Sequence, residues 1–172
     1  MRSTCKSASP SEARRWLAGA LAALGLVASA ATVARAIDIA VVVHPKVKVD
    51  DLTFPELRKI LLGDRQFWSS GQQVTLIVRA PVAAERTVML EKIYKMSEAQ
   101  FRQYWIAKVF RAQATTGPRV VVSNQESVDL VGVLPGAIAL VNADDVPAGL
   151  KVLQIDGLKP GDAAYALGQT SE

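Results

Sequence analysis

Apolar residues fall along this chain in short runs separated by longer amphipathic stretches. Residues 37–43 (IDIAVVV) are almost wholly apolar, which predicts a short strand covered on both faces. A polar loop carrying Asp50 and Asp51 follows. Thr53, Pro55 and Glu56 then mark a helix start: the threonine oxygen caps free amides, the glutamate reaches back, and proline is tolerated in the first turn. Leu57, Ile60 and Leu61 give that helix one apolar face, and Gly63 supplies the left-handed turn that ends it.

Residues 64–71 read as a loop whose Phe67 and Trp68 fold back onto the domain. Residues 73–79 (QVTLIVR) alternate and are rich in β-branched side chains, so they predict a strand, broken by Pro81. A helix over 85–94 should bury Val88, Met89, Ile93 and Tyr94. Ser97 and Gln100 form a second capping box and open a helix through Phe110, with Phe101, Tyr104, Trp105 and Val109 at core spacing.

Gly117-Pro118 breaks the chain before a short strand at 119–122. Ser123 and Glu126 predict a third capping box and a helix to about Leu134, ended by Pro135-Gly136. Residues 137–141 predict a strand, 142–149 a polar turn and 150–155 a last strand; residues 157–172 read as a loosely held tail. Strands separated by helices need crossover connections. The pattern therefore predicts an α/β fold: a mixed, mostly parallel sheet of about five strands with helices on both faces.

The first 36 residues are expected to be an export signal. Arg14 and Arg15 precede an apolar stretch over 16–33, and Ala34-Arg35-Ala36 fits the small-x-small cleavage pattern. The rival reading is a membrane anchor, since the stretch nears the ~18 residues that a span needs. Small residues interrupt it, and it ends at a cleavage pattern, which favours removal near Ala36. Sec and twin-arginine export both stay open. The expected division is signal peptide 1–36, domain 37–156 and tail 157–172, with the mature protein periplasmic and off the membrane.

Removing that segment changes the charge. Five of the 20 Lys and Arg residues and one of the 16 acidic ones lie in 1–36, leaving 15 of each sign. A neutral mature domain argues against a nucleic-acid partner. It also has no cysteine, because Cys5 precedes the apolar stretch, and its single histidine is His44. Thiol chemistry and a histidine metal cluster are thereby excluded. Asp50-Asp51 and Asp144-Asp145 fall in turns, Ser123 is first a helix cap, and His44-Pro45 sits at a strand end. No phosphate-loop, dinucleotide or zinc pattern occurs. The reading is a non-enzyme with no metal or organic cofactor.

The order of elements carries one resemblance. The run 37–63, with its helix ELRKILLG, is followed by an aromatic loop, a strand, helices, and the Pro135-Gly136-Ala137-Ile138 strand entry. Together these resemble the second lobe of periplasmic phosphate-type ABC transporter solute-binding proteins, across nearly all of 37–155. The resemblance implies a single lobe of the type 2 periplasmic-binding-protein fold. It also implies a phosphate-gripping segment of the form Arg-x-Asp-Gly-Ser-Gly-Thr after the middle strand.

The matching stretch here runs from Arg79 to Glu85 as RAPVAAE. Arg79 keeps the arginine position, whereas Pro81 replaces the aspartate and Glu85 the threonine. Glu85 puts a negative charge where the anion would sit, and a carboxylate suits a helix start for the same reason phosphate does. On this basis Arg79, Glu85 and Arg86, with the backbone amides of Ala83 and Ala84, are the expected ligand-binding set. The expected ligand is phosphate or a related small anion, with a link to ABC-type phosphate transport. The alternative is a non-catalytic envelope protein–protein interaction module with a degraded ligand site, anchored through Phe67 and Trp68.

Overall fold

The computed structural model describes residues 38–168. The expected signal peptide, and the end of the expected tail, lie outside them. Among the described residues, no helix is long and apolar enough to cross a membrane.

The wholly apolar run becomes β1 (Ile39–Val43), with all five residues buried. β2 (Asp51–Leu52) leads into α1 (Phe54–Leu61), where Thr53 and Glu56 close the predicted capping box. β3 (Thr75–Arg79) precedes α2 (Ala84–Val88), which runs directly into a π-helical turn at Met89–Tyr94. Then come α3 (Glu98–Phe110), β4 (Arg119–Val121), α4 (Asn124–Val133) and β5 (Ala137–Asn142). β6 (Lys151–Val152) and β7 (Gln154–Ile155) close the order.

Five strands form one sheet in the order β4-β3-β5-β1-β6. β3 pairs parallel with β4 and β5, whereas β1 pairs antiparallel with β5 and with β6. Four strands therefore run one way and β1 alone runs against them, which is the mixed, mostly parallel α/β sheet expected. One core packs α1, α2 with its π-helical turn, and α3 against one face, through Leu57, Met89, Phe101 and Trp105. A smaller one packs α4 on the other face, through Val128 and Val131.

Four local readings need correction. The last strand is two: Leu153 bends the chain so that β6 pairs with β1, whereas β7 pairs with β2, a strand inside the expected polar loop. Val109 is exposed, and the buried position is Lys108. The inward stripe of α3 continues from Phe101 and Trp105 to Lys108, whose ammonium donates to Leu62 O (2.8 Å), Tyr104 Oη (3.0 Å) and the Asp64 carboxylate. Those acceptors satisfy the buried charge, so the stripe rotates away from Val109.

Glu126 also departs from the expected box. The Ser123 hydroxyl caps α4 by accepting from Glu126 N (3.0 Å), but the Glu126 carboxylate accepts from Val122 N (2.8 Å), one residue before the cap. The expected loose tail, finally, is anchored as far as it is described. Tyr165 and Leu167 are buried, the Tyr165 hydroxyl donates to Ile39 O (3.0 Å), and Lys92 donates to Gly168 O. Each such apolar burial contributes about 2 kcal/mol and offsets part of the entropy lost in ordering the strap.

Candidate functional site

The carboxyl ends of β4, β3 and β5 lie side by side, and α2 and α4 begin there. The crossover from β3 to β4 uses one face of the sheet and the crossover from β4 to β5 the other, so the two helices leave β3 and β4 in opposite directions. An open corner results at the end of β3, the position at which α/β sheets commonly hold ligands.

Arg79, the last residue of β3, stands in this corner. Its Nε–H donates to Glu85 Oε2 at 3.4 Å, and both side chains are largely buried, 13% and 7% exposed. The Asn124 Nδ2 amide, at the start of α4, donates to Glu85 Oε1 (2.7 Å) and to Asp145 Oδ2 (2.7 Å). The buried Arg79 Nη1 and Asn124 Oδ1 have no protein partner. Glu85 thus sits between a guanidinium and an amide.

The remaining expected ligand residues behave differently. The Ala83 N–H is turned back onto Ala80 O (3.4 Å), so it closes a turn rather than pointing at a guest. Ala84 opens α2, whose cap residue Ala83 makes no side-chain bond. Arg86 neither joins the corner nor pairs with Glu85. It is 4% exposed, and its Nε and Nη2 donate to the two Glu98 oxygens (3.0 and 2.8 Å), while the guanidinium lies 4.0 Å from the centre of the Phe101 ring. Those hydrogen bonds hold the Glu98 carboxyl below the ordinary 4.5. Arg86 clamps α2 to α3.

Asn124 and Asp145 are site residues that sequence reasoning missed. Asn124 follows a helix cap and Asp145 sits in a polar turn, and nothing local separates them from solvated residues. Beside them a depression of about 480 Å3 is lined by Asn124, Gln125, Asp144, Asp145, Val146 and Pro147. The corner therefore sets two carboxylates, Glu85 and Asp145, against one guanidinium, with Asp144 adjacent.

The other chemical candidates stay structural. His44 is buried, and its Nδ1 accepts from Lys46 N (3.1 Å). Trp68 is buried with its indole N–H donating to Gly136 O (2.9 Å), so it cannot anchor a partner, whereas Phe67 is 55% exposed. Among the described residues, no group of three or more His, Cys, Asp or Glu side chains could hold a metal ion.

Two valines flank the corner. Val82, between β3 and α2, and Val122, after β4, are both exposed. Val82 also holds a φ of 67°, a left-handed conformation that strains a β-branched residue by about 1–2 kcal/mol. Val82→Gly should therefore stabilise the protein by about 1 kcal/mol, after the added chain entropy of glycine is deducted. Urea unfolding would measure it, and a variant less stable than the parent would contradict the strain.

The sequence matches no family model and no curated protein. Solved structures do match. PstS from Borrelia burgdorferi aligns at a TM-score of 0.63 and 19% identity, over 78% of this chain and 55% of its own. An ABC-type phosphate transport receptor from Vibrio cholerae aligns at 0.62 and 18%, over 77% and 54%. A putative phosphate ABC transporter substrate-binding protein with bound phosphate, from Clostridium perfringens, aligns at 0.59 and 16%, over 73% and 47%. The chain spans about half the length of these receptors. Its fold is that of a periplasmic-binding-protein-like domain.

Proposed function

We propose that this is a solute-receptor lobe whose anion corner is occupied by its own Glu85, and that it works in the bacterial envelope as a non-catalytic protein-interaction module. The observation that carries this is the Glu85 carboxylate, 7% exposed and bound by Arg79 at 3.4 Å and Asn124 at 2.7 Å. An internal carboxylate in that position competes with any external anion without the entropy cost of bringing a separate molecule into place. The exposed Val82 and Val122 support a macromolecular partner at this edge, because large apolar side chains left in water are commonly covered by a partner. Export through a cleaved signal peptide belongs to this proposal, as does an ABC transporter as the partner.

Direct phosphate binding is the competing reading, supported by the fold and by Arg79 at the end of β3. Calorimetric titration of the full chain with phosphate separates the two. The proposal expects no saturable heat. Saturable phosphate binding that disappears in a folded Arg79→Ala variant would establish the competing reading. A photocrosslinker at position 122 should give a discrete protein adduct in living cells, and one at exposed Lys95 should not.

A further inference from the structure

We propose a second ligand site at the opposite edge of the sheet, one that takes a small organic carboxylate with a flat apolar body. A cavity of about 490 Å3 opens where β3 begins, bounded by the end of α1, by α3 and by the loop that leads into β4. That volume lies within the ~300–1,000 Å3 of ordinary small-molecule sites. It lies at the amino end of β3, whereas Arg79 and Glu85 lie beyond the carboxyl end, so the two sites share no residue.

The floor is apolar, formed by Ile60, Val74, Leu76 and the Trp105 ring. Gly63 sets the position of that ring: a Cβ there would come within 2.7 Å of Trp105 Cη2, so only glycine lets the indole edge lie against the end of α1. The lining polar groups are amides, threonine hydroxyls and the guanidinium-bearing Arg65 and Arg119, with no carboxylate among them. The cavity is thus of opposite electrical character to the corner.

Arg65 is the residue placed to select charge. Its Nε–H is fixed by Phe67 O (3.3 Å), which orients the planar group. Its contact with Glu56 is long, 3.8 Å between Nη1 and Oε1, with both side chains a third or more exposed. Such a pair contributes little and is readily exchanged. A ligand carboxylate can replace it with two parallel N–H···O bonds, the geometry that guanidinium favours. An aromatic or compact aliphatic body would cover the Trp105 ring and displace water from the floor. Inorganic phosphate could use Arg65 but not the floor.

The test is calorimetric titration of the full chain with benzoate, with benzamide as the uncharged isostere and with phosphate as the anion lacking an apolar body. Benzoate should bind saturably below about 10 mM, and the other two at least about tenfold more weakly, a difference of about 1.4 kcal/mol. Arg65→Gln should lose that preference. Thr116→Trp, in the exposed loop that lines the cavity, should block benzoate while circular dichroism stays unchanged. No saturable benzoate binding, equal binding of benzamide, or full affinity in either variant would overturn the assignment. None of these outcomes bears on Glu85, so the corner and the cavity stand or fall separately.

Discussion

Glu85→Gln should cost the protein about 3 kcal/mol of stability, because it leaves the Arg79 guanidinium buried without a counter-charge. The substitution preserves shape and can still accept from Asn124, so the loss isolates charge rather than packing. The same change removes the competing charge, so an outside anion can displace the side chain from Arg79. Phosphate at ten times its dissociation constant should return about 1.4 kcal/mol by mass action, and equal ionic strength of chloride should return none. The parent chain should show no such rescue. Thermal unfolding with and without phosphate reads both effects. A variant as stable as the parent would mean that Glu85 does not balance Arg79. A parent stabilised by phosphate as strongly as the variant would mean that the corner is open already, and the proposed function would fail with it.

The corner follows from where sequence information is local and where it is not. Arg79 could be placed at a strand end because alternation over 73–79 stops at Pro81, and the helix after it was marked by Val88, Met89, Ile93 and Tyr94, all buried. The capping boxes at Thr53 and Ser97 close as predicted because both partners lie three residues apart. The Glu85 contact spans only six residues, yet its direction depends on Asn124, thirty-nine residues on, and on Asp145. Those three meet only because β4, β3 and β5 are neighbours in the sheet, a relation that no window of sequence contains.

The same physics explains the smaller misses. A two-residue strand such as β2 has no periodicity to detect, and it exists because β7 lies beside it. Arg86 stands next to Glu85 in sequence, and that adjacency suggested a shared site. On a helix, consecutive residues point about 100° apart, so one reaches the corner and the other reaches Glu98 and Phe101 on α3. The buried Lys108 reads locally as a solvated helix residue, and only the turn at Leu62 and Asp64 supplies the acceptors that let it enter the core.

Gly136→Ala should unfold or nearly unfold the domain, with a loss above about 4 kcal/mol. Gly136 has a φ of 78°, where an L side chain alone costs about 1–2 kcal/mol. A Cβ at this position would also stand 2.2 Å from Gln73 O, a backbone atom that cannot move without shifting the start of β3. The Gly136 carbonyl is a junction as well: it accepts from Thr75 N (3.1 Å) and from the Trp68 indole N–H (2.9 Å). Displacing it breaks the parallel entry of β3 beside β5 and leaves the indole N–H buried without an acceptor, worth about 1–3 kcal/mol more. Gly132→Ala is the matched control. Gly132 lies inside α4, where an added Cβ meets only Leu150 Cδ2 at 3.8 Å, so alanine should be neutral or stabilise by up to about 1 kcal/mol. Urea unfolding of the two variants measures the difference. A loss below about 1 kcal/mol in Gly136→Ala would show that β3 can shift freely, and the fixed spacing between the strand ends that holds Arg79 against Glu85 and Asn124 would lose its cause.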